Sequence, residues 1–154
     1  MLGTLELAQE AATLDRGHGA WGEPINDRWT FLGNGCSRAA FLGPDRVVYK
    51  VLTREGARSM GEFSYDTVNE LEYGNFLAHA DSLPEGVRFA ECYLWSRQVL
   101  AMEYIEGPNL DDDYDSVSQE KHRKTLESEF DITDVYGDNG RIVDGIMILV
   151  DYAW

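Results

Sequence analysis

The chain has 154 residues, enough for one compact domain with a real core, and its apolar and aromatic content is that of an ordinary soluble protein. Its 28 acidic against 13 basic residues leave a net charge of −15, a field that repels nucleic-acid phosphate and anionic membranes and so argues against both as partners. The longest apolar run, residues 146–150, falls far short of the ~18 residues of a membrane span, and Glu6 and Glu10 interrupt the N-terminal apolar residues that a secretory leader would keep continuous; the expectation is a cytoplasmic protein.

In chain order, residues 2–14 predict a short amphipathic helix with Leu5, Leu7, Ala8, Ala11 and Leu14 near one face. Gly17, Gly19, Gly22 and Pro24 mark a loop. Residues 29–32, 38–42 and 46–52 are short runs of β-formers separated by Gly33-Asn34-Gly35 and Gly43-Pro44-Asp45, which predicts a three-stranded antiparallel meander. Residues 64–80 predict a helix capped by Ser64, with Asp66 in its first turn and Val68, Leu71, Phe76 and Leu77 on its apolar side. Residues 87–94 and 98–105 predict two further strands. Five strands with one helix inserted after the third is an α+β pattern, not an alternating βαβ one. Glu106-Gly107-Pro108 then breaks the chain, an acidic patch follows, and residues 117–130 predict a second helix. The tail predicts a hairpin, residues 141–143 and 146–150 flanking the strong turn signal Asp144-Gly145.

Cys36 and Cys92 fall in strands or at their edges and are expected to be buried thiols, because two cysteines make no disulfide framework at this length. His18, His79 and His122 are scattered, without zinc-ligand spacing. Asp111, Asp113 and Asp115 take positions one, three and five of a calcium-loop pattern. Ser116 stands where that loop requires glycine, however, and His122 where it requires glutamate, so the patch reads as a solvated acidic surface.

Four features carry chemistry. Leu32-Gly33-Asn34-Gly35 lies between two strands, where glycines let backbone amides approach phosphate; alone such a hairpin is usually only a turn. Lys50 lies in the apolar strand Val47-Val48-Tyr49-Lys50-Val51, where an ammonium either faces outward or needs a partner. Glu70 and Glu72 on the following helix are the candidates; about 200° apart around it, only one can face Lys50, and helix-face periodicity favours Glu72. Residues 99–107 are an apolar strand that ends in an acid, an aromatic and a glycine break. Asp134 and Asn139 stand five apart, and Asp151 follows twelve residues later across the hairpin. These are hard oxygen donors suited to Mg²⁺, although Asp and Asn also simply populate turns.

Taken in order, these features resemble the protein-kinase-like superfamily, and the resemblance covers roughly residues 29–154. It is nearest to small kinase-like proteins of bacteria and bacteriophages, many with an Asp-Tyr-Ala ending like that at Asp151-Tyr152-Ala153. The resemblance implies a five-stranded antiparallel N-lobe sheet with one inserted helix and a strongly reduced C-lobe of one helix, a catalytic loop and a β-hairpin. The expected divisions are 1–28 as an N-terminal extension, 29–105 as N-lobe and 106–154 as truncated C-lobe. The implied ligands are ATP and Mg²⁺. Gly33 and Gly35 match the first two loop glycines, Lys50 the strand lysine and Glu72 its helix partner. Residues 102–105 look like the hinge, which implies Glu103 and Ile105 as nucleotide contacts. Asp134 and Lys50 are the implied catalytic residues, Asn139 and Asp151 the implied metal ligands.

The departures carry expectations of their own. Arg38 stands where a third loop glycine is usual. Ile132-Thr133-Asp134 replaces His-Arg-Asp, which removes the arginine that pairs with an activation-loop phosphate. The sequence runs three residues past Asp151, so the resemblance implies no peptide-docking lobe and weak or no transfer to generic kinase substrates. Two functions follow: a minimal ATP·Mg²⁺ phosphotransferase acting on itself or one specific acceptor, or a pseudokinase-like acidic module that grips and regulates a basic or otherwise specific host protein. Solubility and imitation of a nucleic-acid surface are the other readings of the charge.

Overall fold

The computed structural model describes residues 1–14, 20–35, 37–53, 67–111 and 116–153. Gly17, Gly19, Cys36, the helix start at Ser64 and Asp66, and Asp112, Asp113 and Asp115 lie outside them. The architecture is α+β, in two compact units: Met1–Tyr73 with Glu91–Tyr104, and Gly74–Ala90 with Ile105–Trp154.

The first unit is a five-stranded antiparallel sheet of β1 (Thr30–Asn34), β2 (Arg38–Leu42), β3 (Val47–Leu52), β5 (Cys92–Leu94) and β6 (Val99–Glu103), in the order β1-β2-β3-β6-β5. Period-two alternation sorts its side chains onto two faces. Phe31, Phe41, Tyr49 and Ala101 stand opposite one another across one face. They join Trp29, Val51 and Val99 in the core beneath α1 (Leu5–Ala12).

Thr4 caps α1 by accepting from the Leu7 amide. The helix buries Ala8 and Ala11, with Leu7 and Leu14 partly covered, whereas Leu5 is exposed, contrary to the apolar face expected of it. Alanines on the buried side let the helix lie close to β3 and β6. Glu10 fastens it further: its carboxylate accepts two hydrogen bonds of 3.0 Å from Arg28 and one of 2.8 Å from the Trp29 indole. The Arg28 and Trp29 hydrogen bonds hold the Glu10 carboxyl below its ordinary range. Beneath the sheet, burial and a hydrogen bond to Asp45 push the Tyr49 hydroxyl far up from its usual acidity.

The helix inserted after β3 is α2 (Val68–His79), whose residues to Tyr73 belong to this unit. Its buried residues are Val68, Asn69 and Glu72. Leu71 and Leu77 are exposed, so the apolar side expected of it is displaced. The face that matters is polar, because it meets two cations rather than a greasy surface.

The second unit holds the rest of α2, α3 (Ser116–Phe130), and a three-stranded sheet of β4 (Val87–Phe89), β8 (Ile146–Leu149) and β7 (Gly140–Val143) in that order. The β7–β8 hairpin turns at Asp144 (φ 52°) and Gly145 (φ 77°), both in the left-handed region that a two-residue turn requires. β4 runs parallel to β8. Residues 87–94, expected as one strand, are therefore two: the first three pair with β8 and Cys92–Leu94 pairs with β6. Ala90 marks the change, its amide donating to Leu149 and its carbonyl accepting the Tyr152 hydroxyl. Tyr152 also stacks on Phe89, ring centroids 4.0 Å apart. No helix among the described residues is long and apolar enough to cross a membrane.

Candidate functional site

In the first unit the second sheet face carries Lys50 and the groups that surround it. Register aligns Gly33, Ala40, Lys50, Leu100 and Leu94 in one cross-strand row, and Leu42, Val48, Met102 and Cys92 in the next. Lys50 is thus a lysine on a central strand, only 8% exposed. Its Nζ lies 2.7 Å from Glu72 Oε1, and Glu72 is fully buried. Glu70 points elsewhere, pairing with exposed Arg97 at 2.7 Å. Arg38 also reaches Glu72: its Nη1 is 2.8 Å from the same Oε1 and 3.1 Å from Asn69 Oδ1. Asn69 is oriented for this because its amide nitrogen donates to the Arg97 carbonyl.

Burial alone would drive the Glu72 carboxyl upward, but the charges and hydrogen bonds of Arg38 and Lys50 outweigh it and hold it down at about 2. The group is a carboxylate at any pH near neutrality. Sequence reasoning treated Arg38 only as a departure from a glycine pattern. The signal that would have found it is the one used for Lys50, a cation inside an apolar strand, here Arg-Ala-Ala-Phe-Leu.

The glycine hairpin is divided in its roles. Gly33 has φ 148° at a register irregularity in β1, and a Cβ there would lie 3.1 Å from the Trp21 ring. Gly35 has open space where a Cβ would be, and its amide donates to the Arg38 carbonyl at 2.9 Å. Backbone geometry therefore requires Gly33, whereas Gly35 leaves the hairpin surface bare. At the other end of the sheet, Glu103 closes β6: its amide donates to Glu91, and its carboxylate accepts from the Glu91 amide. Tyr104 lies under the Arg46 guanidinium. Ile105, half-buried, opens the return to the second unit.

In the second unit Asp134, Asn139 and Asp151 come together. Ile132 and Val135 are buried and pin the loop, leaving Thr133 and Asp134 exposed between them. The Arg123 guanidinium donates to the Val135 carbonyl and stacks over Tyr136. Gly137 (φ 52°) enters a single 3₁₀ turn, Gly137–Asn139, where an added Cβ would lie 3.1 Å from an Asp111 carboxylate oxygen. The Asn139 side-chain amide donates to the Asp134 carbonyl at 2.9 Å, and the Asn139 carbonyl accepts from the amides of Val150 and Asp151. One residue thereby ties the loop to the end of β8. Among the described residues no three His, Cys, Asp or Glu side chains gather as a metal cage. An amide oxygen and a carboxylate are instead the donor set of a Mg²⁺ site completed by phosphate and water, so Asn139 and Asp151 fit that ion.

No protein-family profile matches this sequence, and no curated protein does. The solved structures that resemble part of it include the following two. A streptomycin–ATP ternary complex of APH(2'')-IIa is 23% identical, with a TM-score of 0.37 over 55% of this chain and 26% of its own. The ADP-bound aminoglycoside phosphotransferase APH(2'')-Ib is 20% identical, with a TM-score of 0.42 over 68% of this chain and 36% of its own. The chain thus spans well under half the length of either. Likeness at that level carries no argument about function, which rests on the residues described above.

Proposed function

We propose that the chain binds ATP·Mg²⁺ in the manner of a kinase-like protein and transfers the terminal phosphoryl group to its own hydroxyls or to one specific bound acceptor. The observation that carries this is the Lys50–Glu72 ion pair, 2.7 Å long and buried. A buried ion pair is a poor route to stability compared with apolar packing, so its presence favours a functional use. Lys50 would hold the α and β phosphates. Ala40, Val48 and Met102 stand on the same sheet face as Lys50, the side on which the base would rest. Glu103 and Ile105 would meet the base edge, and the amides around Gly33 and Gly35 the phosphates.

Bound Mg²⁺ would neutralise phosphate charge, held by Asn139 and Asp151. Asp134 would orient the acceptor hydroxyl. As the hydroxyl oxygen bonds to the γ-phosphorus, the bond to the β,γ-bridging oxygen breaks, the proton passes to the Asp134 carboxylate, and ADP leaves. ATP as ligand accords with the cytoplasmic expectation, and the motif pattern with the kinase-like proteins of bacteria and their viruses.

The test is thermal. A ligand confined to the native state raises the melting temperature. Millimolar ATP with Mg²⁺ should raise it, and Asp151→Ala should shrink the shift. Labelled γ-phosphate should move to the chain itself or to one protein of a lysate, and Asp134→Asn should stop that transfer while leaving nucleotide binding nearly intact. No thermal shift would remove the nucleotide reading. The net charge of −15 favours a second reading, an acidic regulatory module. A biological effect untouched by Asp134→Asn would select it.

A further inference from the structure

We propose that Arg38 is a positioning residue that frees Lys50 for the phosphates by holding Glu72 in its place. The inference rests on the nucleotide reading above and deepens it.

Arg38 and Lys50 lie on neighbouring strands and on the same sheet face, since Ala40, two residues along β2 from Arg38, stands opposite Lys50. Both reach one oxygen, Glu72 Oε1, at 2.8 and 2.7 Å. The three groups are buried, Arg38 and Lys50 at 8% exposure and Glu72 at 0%. Arg38 is also gripped by Asn69, one helical turn before Glu72, so it meets α2 at two points along a single face.

A carboxylate with no access to water cannot lose its cationic partner cheaply. With Lys50 as sole partner, every movement of the ammonium toward a phosphate would strip charge compensation from Glu72. Arg38 removes that penalty. Its guanidinium stays fixed between Asn69 and Glu72, the carboxylate stays ionised and oriented, and the Lys50 ammonium can divide its hydrogen bonds between Glu72 and an incoming anion. Arginine suits the fixed role, with several donors in a rigid plane and a charge that does not titrate. Lysine suits the moving one, as a compact charge on a flexible stem.

The test measures the dissociation constant for ATP·Mg²⁺ in the full chain carrying Arg38→Met, Arg38→Lys, Glu72→Gln, or Arg38→Met together with Glu72→Gln. Arg38→Met should weaken binding by about tenfold, the scale of one charge-assisted hydrogen bond, although Lys50 is untouched. Arg38→Lys should restore most of the affinity. The decisive comparison is between the double variant and Glu72→Gln: with Glu72 neutral there is no anion for Arg38 to hold, so removing Arg38 should cost little more, and the double variant should bind well within tenfold of Glu72→Gln. A merely structural arginine would lower affinity by a similar factor in either background. Binding by Arg38→Met equal to wild type overturns the proposal, as does a double variant tenfold or more weaker than Glu72→Gln. If Arg38→Met does not fold, the double variant against Glu72→Gln decides alone: tenfold or more below it overturns the proposal, and anything closer supports it. Absence of binding by wild type is a different result, which removes the nucleotide reading and the role of Arg38 together.

Discussion

Glu72 concentrates the energetics of the first unit in one carboxylate. Its pKa in the folded chain is about 2, against an ordinary 4.5. As pH falls below about 4.5 the unfolded chain takes up a proton that the folded chain refuses, so stability present above that pH is lost progressively toward pH 2. Melting temperatures recorded from neutrality down to pH 3 should therefore fall, and Glu72→Gln should flatten part of that fall. A Gln variant with an undiminished slope would show that other carboxylates govern acid unfolding. Glu72→Ala is the harsher change, since it leaves Lys50 and Arg38 buried without their shared anion. The expected loss is about 3–5 kcal/mol, or roughly 10 °C of melting temperature for a chain of this size. A loss of only a degree or two would mean that both cations relax to solvent.

At the scale of elements, the two glycines of the hairpin should separate the needs of the fold from those of the proposed phosphate contact. Gly33→Ala must accommodate φ 148° and a Cβ against Trp21, whereas Gly35→Ala meets nothing. Calorimetry should find Gly33→Ala destabilised by about 1–3 kcal/mol, the range for strained backbone, with Gly35→Ala near wild type. Gly35→Ala should instead weaken ATP·Mg²⁺ binding, because a methyl group holds phosphate away from the amides. Equal melting temperatures for the two variants would contradict this division.

The elements themselves were largely legible. Runs of β-formers bounded by turn residues marked β1, β2, β3 and β6, and Asp144-Gly145 marked the β7–β8 turn, because these signals are local. Three features were not. The break at Ala90 is invisible in the local sequence, since it arises from pairing with strands distant in sequence. The inward face of α2 could not be read from apolar spacing, because what it buries is Asn69 and Glu72 rather than Leu71 and Leu77. Arg38 was legible as a buried cation but was measured against a glycine pattern instead. Of the candidate site, sequence order proposed Lys50, Asp134, Asn139 and Asp151, while the choice of Glu72 over Glu70 was only favoured until geometry placed Lys50 beside it.

For the whole molecule, net charge outweighs the visible surface pairs. Exposed pairs such as Arg28–Glu10 and Arg97–Glu70 contribute little to stability and weaken with salt. A charge of −15 repels itself across the chain, and salt screens that too. The second effect should win, so that raising NaCl from about 20 to about 200 mM raises the melting temperature. A fall would mean that ion pairs matter more than the excess of acids.

The placement of two tryptophans has an optical consequence. Trp29 is 1% exposed within the core under α1, and Trp21, 60% exposed, lies against Gly33. One indole emits from an apolar surrounding and the other from water, so their fluorescence separates by colour and by access to a dissolved quencher. The blue, shielded component follows unfolding of the first unit. Once Trp95 and Trp154 are replaced by phenylalanine, the red, quenchable component comes from beside the hairpin where phosphate is proposed to settle, and gauges occupancy there.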